Sequence, residues 1–261
     1  MNSSPPLTSP ADLPGQLAGA GWAVLNRASL CALTQVNEAD FRAWEPLWQA
    51  LPPDLHLRDG GRYRRRRHGC FVVEGQHCQA VAHRPHWQPL EYNALHGGIE
   101  RHFEPLPDSL VGDRAWQQLL TSCAAVASGL RRRATWFVEA HPFRIDATDG
   151  IGRPTPEGAH RDGVDLVVVV FVGRGNVKGG ETRVFDARGP QGVRFTLDEP
   201  WSALLLDDER VVHESTPIQP LDPALPSWRD TLVLTFRQGG FQGPPPEPDQ
   251  GTPSTSTKAP T

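Results

Sequence analysis

Residues 165–172 read DLVVVVFV, a continuous apolar run with four β-branched valines in a row. Gly163 precedes it and Gly173 follows it. Such a run, bounded by turn residues, predicts a strand buried on both faces. Outward from it, short strand-like stretches follow at Thr182–Asp186, Val193–Leu197, Ala203–Leu206 and Asp230–Arg237, with Trp136–Ala140 upstream. Gly, Pro and Asp clusters separate them, and no helical pattern intervenes. That spacing argues for a sandwich or barrel and against a parallel α/β sheet. The expected fold is mainly β with flanking helices, around a double-stranded β-helix (jelly-roll, cupin-like) core.

The helices belong to the first half. Ala115–Leu130 places Trp116, Leu119, Leu120, Cys123 and Ala127 on one face, and predicts an amphipathic helix. Glu38–Leu51 has helical spacing too, interrupted by Pro46. The expected organisation is a flexible leader over residues 1–14 and a single domain over 15–238. Its helix-rich part runs to about 135 and its jelly-roll core over 136–238. The remainder, 239–261, has almost no large apolar residues and is expected to be disordered.

A hydrophobic content of 38 % supports a sizeable core, and a net charge of −4 gives no reason to expect nucleic acid as a partner. No stretch approaches the length of a transmembrane span, and the N-terminus has no signal-peptide pattern. Four cysteines without a C-x-x-C pair read as buried thiols in a reducing, cytoplasmic setting.

Two H-x-[DE] elements occur, His102-Phe-Glu104 and His160-Arg-Asp162. Ten histidines and thirty acids make the element weak by itself, so context must separate the two. Pro105 follows Glu104, and no central strand continues from there. Asp162 instead sits at the mouth of DLVVVVFV. Downstream of His160 one histidine remains, His213, at the end of ALLLDDERVV. Two imidazoles and a carboxylate in this order fit a facial triad that leaves open positions on Fe(II). A chelating 2-oxo diacid would then need a cation for its far carboxylate, best supplied by Arg. Arg229 starts the strand after His213, and Arg237 ends it with the same parity.

The stretch PTPEGAHRDGVDLVVVVFVGRGNVKGGETRVFD (154–186) resembles the bacterial 2-oxoglutarate–Fe(II) dioxygenase family that includes L-isoleucine 4-hydroxylases. GGRYRRRRHGCFVVE, HRPHWQPLEYNALHGGIERHFEPL, DDERVVHESTPIQP and WRDTLVLTF resemble further blocks of it in order, spanning roughly 40–238. The resemblance implies metal ligands at His160, Asp162 and His213 and a 2-oxoglutarate arginine at Arg229. It implies Fe(II), 2-oxoglutarate and O2, and hydroxylation of a free aliphatic L-amino acid with release of succinate and CO2. His141 stands where a polar amide is expected in relatives.

Other residues have two readings each. Arg62 and Arg64–Arg67 form either a solvated strand face or a rim that grips a substrate carboxylate. Arg144 could bind that carboxylate or form a salt bridge. Glu157 and Asp165 could take a substrate ammonium or support the metal loop. The Thr182 hydroxyl could meet the co-substrate, and Tyr92, Asn93 and His96 could line the pocket. Three alternatives stay open: a cupin-like metal- or ligand-binding protein without oxygenase activity, a zinc hydrolase on the same ligands, and a dioxygenase for a peptide or natural product. In each, the partner is a small molecule or peptide, with no nucleic acid and no membrane.

Overall fold

A computed structural model describes residues 4–244. In chain order its helices are α1 (Leu13–Ala20), α2 (Arg27–Thr34), α3 (Glu38–Ala43), α4 (Pro46–Gln49), α5 (Asp108–Val111) and α6 (Arg114–Arg131). The strands are β1 (Trp22–Leu25), β2 (Arg64–Arg66), β3 (Gly69–Glu74), β4 (His77–Ala80), β5 (Thr135–Asp146), β6 (Leu166–Gly175), β7 (Val177–Gly179), β8 (Thr182–Asp186), β9 (Gly192–Phe195), β10 (Ser202–Asp207), β11 (Val211–Ser215), β12 (Ile218–Pro220) and β13 (Trp228–Arg237).

Two antiparallel layers face each other. The large sheet runs β1-β10-β6-β13-β5-β3-β4, with β2 also pairing β5. The small layer is β11-β8-β9, continued by the β12-β7 pair. This is the double-stranded β-helix expected from the strand spacing. The DLVVVVFV run forms most of β6, second from the middle of the large sheet, and alternation along it divides the valines. Val168, Val170 and Val172 pack outward with the helices. Val167 and Phe171 pack inward with Val184, Phe195 and Val211 of the small sheet.

The outer core holds an aromatic cluster. Trp201 stacks on Phe41 (5.0 Å between centroids) and meets Trp44 and Trp48 edge-on. Trp44 meets Trp116 of α6 in the same way. The helix expected over 38–51 is split into α3 and α4. Pro46 has no N–H for the ladder, and its ring clashes with the preceding turn; the chain restarts with Pro46 in the first turn of α4.

Two boundaries differ from expectation. The N-terminal leader is shorter than 14 residues, because Leu7 bridges Val24 and the Thr8 amide donates to its carbonyl. At the other end, Phe241 packs edge-on against Phe137, and Gln242 docks on the loop before β6. The expected tail is therefore structured at 239–244, and 245–261 lie outside the described residues. No helix among the described residues is long and apolar enough to cross a membrane, and the four cysteines are free thiols.

Asp113 caps α6 by accepting from the Ala115 and Trp116 amides, and Trp44 Nε1 donates to its other oxygen. An N-cap carboxylate of this kind contributes about 1 kcal/mol, up to about 2. Asp113→Ala is expected to lower the unfolding free energy by that amount in urea titrations, with an unchanged slope. An unaltered midpoint would show that the cap does not hold this helix.

Candidate active site

The loop that enters β6 brings two potential ligands to the mouth of the sandwich. His160 pairs with His213 of β11 through reciprocal backbone hydrogen bonds, N to O at 3.0 and 2.9 Å. The pairing puts their rings 4.6 Å apart. Asp162 Oδ1 lies 3.9 Å from His160 Nε2, and Asp162 Oδ2 lies 3.8 Å from His213 Nε2. One donor atom from each residue lies within 4.8 Å of the others, wider than the span of about 4 Å or less between atoms each about 2 Å from a common ion, so the side chains would draw together on an ion. His160 Nδ1 faces the Gly158 carbonyl at 3.0 Å; donating there leaves the Nε2 lone pair for a metal. The set, two imidazoles and one carboxylate, suits Fe(II).

The loop is fixed from below by Asp208. Its carboxylate accepts the amides of Asp162 (3.0 Å), Gly163 (2.7 Å) and Val164 (3.0 Å). Burial and the Asp162 charge push the Asp208 carboxyl up to about 7. Burial raises Asp162 as well, against the pull of His160. Gly163 is the residue that makes the turn possible. Its φ is +75°, and a Cβ there would stand 2.5 Å from the Tyr92 ring. From above, Gln88 Nε2 donates to Asp162 Oδ1 at 3.3 Å. The Gln88 carbonyl in turn accepts from Arg101 Nη2 (2.8 Å) and Asn93 Nδ2 (3.1 Å).

The three residues open onto a cavity of about 130 Å³ between the sheets. Alternate residues of β5 and β13 form its floor: Glu139, His141, Phe143 and Ile145 on one, Arg229, Thr231, Val233 and Thr235 on the other. Arg229 is 3 % exposed, and its Nε and Nη2 have no hydrogen-bond partner. Burial and the neighbouring Arg174 lower it to about 10, so it remains charged at neutral pH. Gly180, at φ +73°, gives it room: a Cβ would lie 3.3 Å from Arg229 Cδ and 3.0 Å from Ile218. A buried guanidinium with two open donors is costly until a carboxylate satisfies it. That is the fit the site offers to a 2-oxo diacid.

A second group of metal-capable side chains, His68, His86, Glu139 and His141, lies deeper in the same cavity wall. Protein contacts engage it. Glu139 Oε1 accepts from His68 Nε2 (2.9 Å) and His86 Nδ1 (3.2 Å). Arg66 Nη2 donates to His141 Nδ1 at 2.6 Å. A cation at His141 would have to displace a guanidinium held between Phe103 and Phe143.

Among the sequence candidates, His160, Asp162, His213, Arg229 and Glu157 line the cavity. Arg144 does not: it forms a two-pronged pair with Asp230, both on the opposite face of their strands. Asp165 also points away, accepting from Arg131 of α6 and from the Gln238 amide. Tyr92 lies outside, against Gly163 and under Arg161. Thr182 is buried on β8 opposite Ser215 but does not line the cavity. Arg237, the alternative to Arg229, donates to the Gly240 carbonyl instead. In the discarded H-x-E, Glu104 pairs with Arg67 at the surface. Sequence reasoning missed Gln88, Arg101, Glu139, His86 and Asp208. Only Asp208 carried a signal, as one of three acids just ahead of His213.

The chain belongs to the 2OG-Fe dioxygenase family, whose profile matches residues 45–235. Fe(II), 2-oxoglutarate and O2 come with that membership. The crystal structure of a bsmA homologue from Methylobium petroleophilum PM1 is 54 % identical, with a TM-score of 0.88 over 94 % of this chain and 99 % of that one. A 3(1)-hydroxy-L-isoleucine 4-dioxygenase of Pantoea ananatis (strain AJ13355) is 24 % identical over 161 residues, 59 % of this chain. The match spans 64 % of that relative's length. The crystal structure of IDO from Bacillus thuringiensis shares the fold, with a TM-score of 0.70 at 16 % identity over 90 % of this chain and 97 % of that one.

Burial pulls His68, His86 and His141 below the usual imidazole range, His86 to about 3. It does the same to His96 and His213. The unfolded chain binds protons on these groups below about pH 6.5 while the folded chain does not. Their contribution to stability is therefore complete above that pH and falls as the pH drops toward the folded values. His160, raised by Asp162 and Glu157 against the effect of burial, works in the opposite sense, and so do the carboxyls of Asp162, Asp208 and Asp230, which burial raises: four groups against five. The urea midpoint of the metal-free protein is expected to fall between about pH 6.5 and 5, less steeply than the five imidazoles alone would dictate because the raised carboxyls oppose them. A flat profile across that window would contradict neutral buried imidazoles.

Proposed function

We propose that this protein is an Fe(II)- and 2-oxoglutarate-dependent dioxygenase that hydroxylates an unactivated C–H of a free aliphatic L-amino acid, with release of succinate and CO2. One observation carries the reading. The His160–Asp162–His213 cluster and the unpartnered Arg229 donors face the same cavity. A metal-binding protein without co-substrate has no use for a buried cation left open in this way. A zinc hydrolase would not need it either.

Fe(II) at the three ligands supplies the activation of O2 and the oxidative decarboxylation of the 2-oxo acid. The protein's part is to bind, orient and exclude water. Asp208 fixes the direction of the Asp162 loop, Gln88 fixes its carboxylate, and the Gly158 carbonyl fixes the His160 tautomer. Arg229 holds the distal carboxylate of 2-oxoglutarate. Val164, Val169 and Val233 supply apolar walls beside it.

The name of the Pantoea relative, an enzyme of a hydroxylated isoleucine, supports an amino-acid substrate. It also suggests a second reading, in which the side chain already carries a hydroxyl. The polar wall of Gln88, His141 and Thr235 favours that reading over a purely aliphatic one.

Anaerobic purification, Fe(II) reconstitution and a screen of free L-amino acids for coupled succinate release is expected to find at least one that stimulates turnover. His160→Ala and Asp162→Ala are expected to abolish it. Arg229→Gln is expected to raise the KM for 2-oxoglutarate at least about tenfold, the loss of one charge-assisted hydrogen bond. Wild-type-like turnover in either ligand variant would defeat the assignment.

A further inference from the structure

Three more arginines of the cavity wall stand buried with part of their hydrogen-bonding capacity unused; one, Arg64, lies across β5 from Arg229, both being register partners of Ile145. Arg64 is 6 % exposed, Arg66 3 % and Arg101 1 %. All three line the cavity. Each is anchored through one nitrogen. Arg64 Nε donates to Asp54 at 2.7 Å, Arg66 Nη2 to His141, and Arg101 Nη2 to Gln88. Each leaves another nitrogen without a partner: Arg64 Nη2, Arg66 Nε and Arg101 Nε. One acceptor is likewise open, Glu157 Oε2.

Arg64, Arg101 and Glu157 line the same cavity, and Glu157 stands beside the metal set, its Oε1 3.6 Å from His160 Nε2. Burial and then the charge of Arg64 are the main influences that lower Arg101 to about 10, and Glu157 pulls it the other way. This group is balanced in charge yet divided in space. Three guanidiniums meet the carboxylates of Asp54, Glu139 and Glu157, while burial keeps the nearby imidazoles neutral. A simple anion would satisfy the arginines and leave Glu157 open. A simple amine would do the reverse. A ligand that carries both charges on groups attached to one carbon, with no net charge, offers a partner to both kinds of open group.

We propose that Arg64 and Arg101, with Glu157 facing them, form the seat of the substrate's zwitterionic head group: the guanidiniums take an α-carboxylate and Glu157 the α-ammonium. This deepens the reading of the protein as an amino-acid dioxygenase and rests on it. The cavity then has two carboxylate stations, Arg229 for the co-substrate and Arg64–Arg101 for the substrate, with Arg229 and Arg64 on either side of β5. Arg66, stacked between Phe103 (3.8 Å) and Phe143 (4.4 Å), closes the wall beside the seat. Arg64 and Arg66 come from the arginine run 62–67, whose alternate members β2 turns inward.

The test is binding, measured by titration calorimetry on the full chain loaded anaerobically with Fe(II) and 2-oxoglutarate. The ligands are the free proteinogenic L-amino acids, their C-terminal amides, the corresponding decarboxylated amines and the des-amino carboxylic acids. At least one free acid is expected to bind, its amide and amine at least about tenfold more weakly, the loss of one charge-assisted pair. Arg101→Gln and Arg64→Gln are expected to remove that discrimination, and Glu157→Gln to remove discrimination against the des-amino acid. Amides that bind as tightly as acids to the wild-type protein would overturn the seat without any variant having to fold. So would an absence of binding by every free acid. Acid-selective binding without succinate release would leave the seat standing and sink the dioxygenase reading. Succinate release driven by ligands lacking a carboxylate would do the opposite.

Discussion

Asp208 accepts three consecutive backbone amides, those of Asp162, Gly163 and Val164. A loop in this position would ordinarily move relative to the strands it joins, because its amides have no ladder to satisfy. The clamp gives them one. It also sets the direction in which Asp162 leaves the chain, and so where its oxygens stand relative to His160 and His213. The clamp is itself anchored by β10, one residue beyond the strand's end, while Gly163 supplies the φ that no other residue adopts cheaply beside Tyr92. Burial first, and the charge of Asp162 second, displace the Asp208 carboxyl upward, so a carboxylate beneath a carboxylate is unfavourable here. The arrangement makes sense around a cation, which relieves the repulsion while the three amides keep the geometry.

The sandwich supplies the rest by alternation. β5 and β13 are ten or more residues long and pair over almost their whole length, from Trp228 opposite Asp146 to Arg237 opposite Phe137. Every second side chain goes to the helical core, where Val138, Ala140, Leu232, Leu234 and Phe236 are fully buried. The others reach the cavity. Strand register therefore decides chemistry. Arg229 faces the cavity because Leu232 and Leu234 face the core. Arg144 and Asp230 fall on the other parity and neutralise each other. A one-residue slip would exchange the two sets.

This explains which parts were legible in the amino-acid sequence. DLVVVVFV announced a buried strand because burial on both faces leaves an unbroken apolar run. His160, Asp162 and Arg229 could be placed because each sits at a strand end with a recognisable run beside it. Ala115–Leu130 showed its helix through an apolar face. The residues that failed to show themselves act through long-range contacts that leave no local pattern. Gln88 and Arg101 lie in the irregular segment between β4 and α5; Gln88 meets Asp162 across 74 residues of chain, and Arg101 donates to Gln88. Glu139 and His141 sit inside what reads as an ordinary strand, and it is His68, His86 and Arg66, all distant in sequence, that give them a polar environment. Arg144 and Asp165 misled for the complementary reason. They are near the metal loop in sequence, yet strand parity and the pull of Arg131 turn them away from it.

The path from Arg101 through Gln88 to Asp162 joins the two halves of the site. Arg101 spends one nitrogen on the Gln88 carbonyl, and the Gln88 amide spends one N–H on Asp162 Oδ1. Arg101 keeps its Nε open toward the cavity. A carboxylate arriving there would polarise the guanidinium and pin it, and Gln88 with it, since a charged partner shortens and stiffens such bonds. The same chain that reads the substrate's head group would thus fix the metal-bound carboxylate. Asn93 shares the Gln88 carbonyl and holds the His96 amide, so the irregular segment is braced at the point where the chain crosses it.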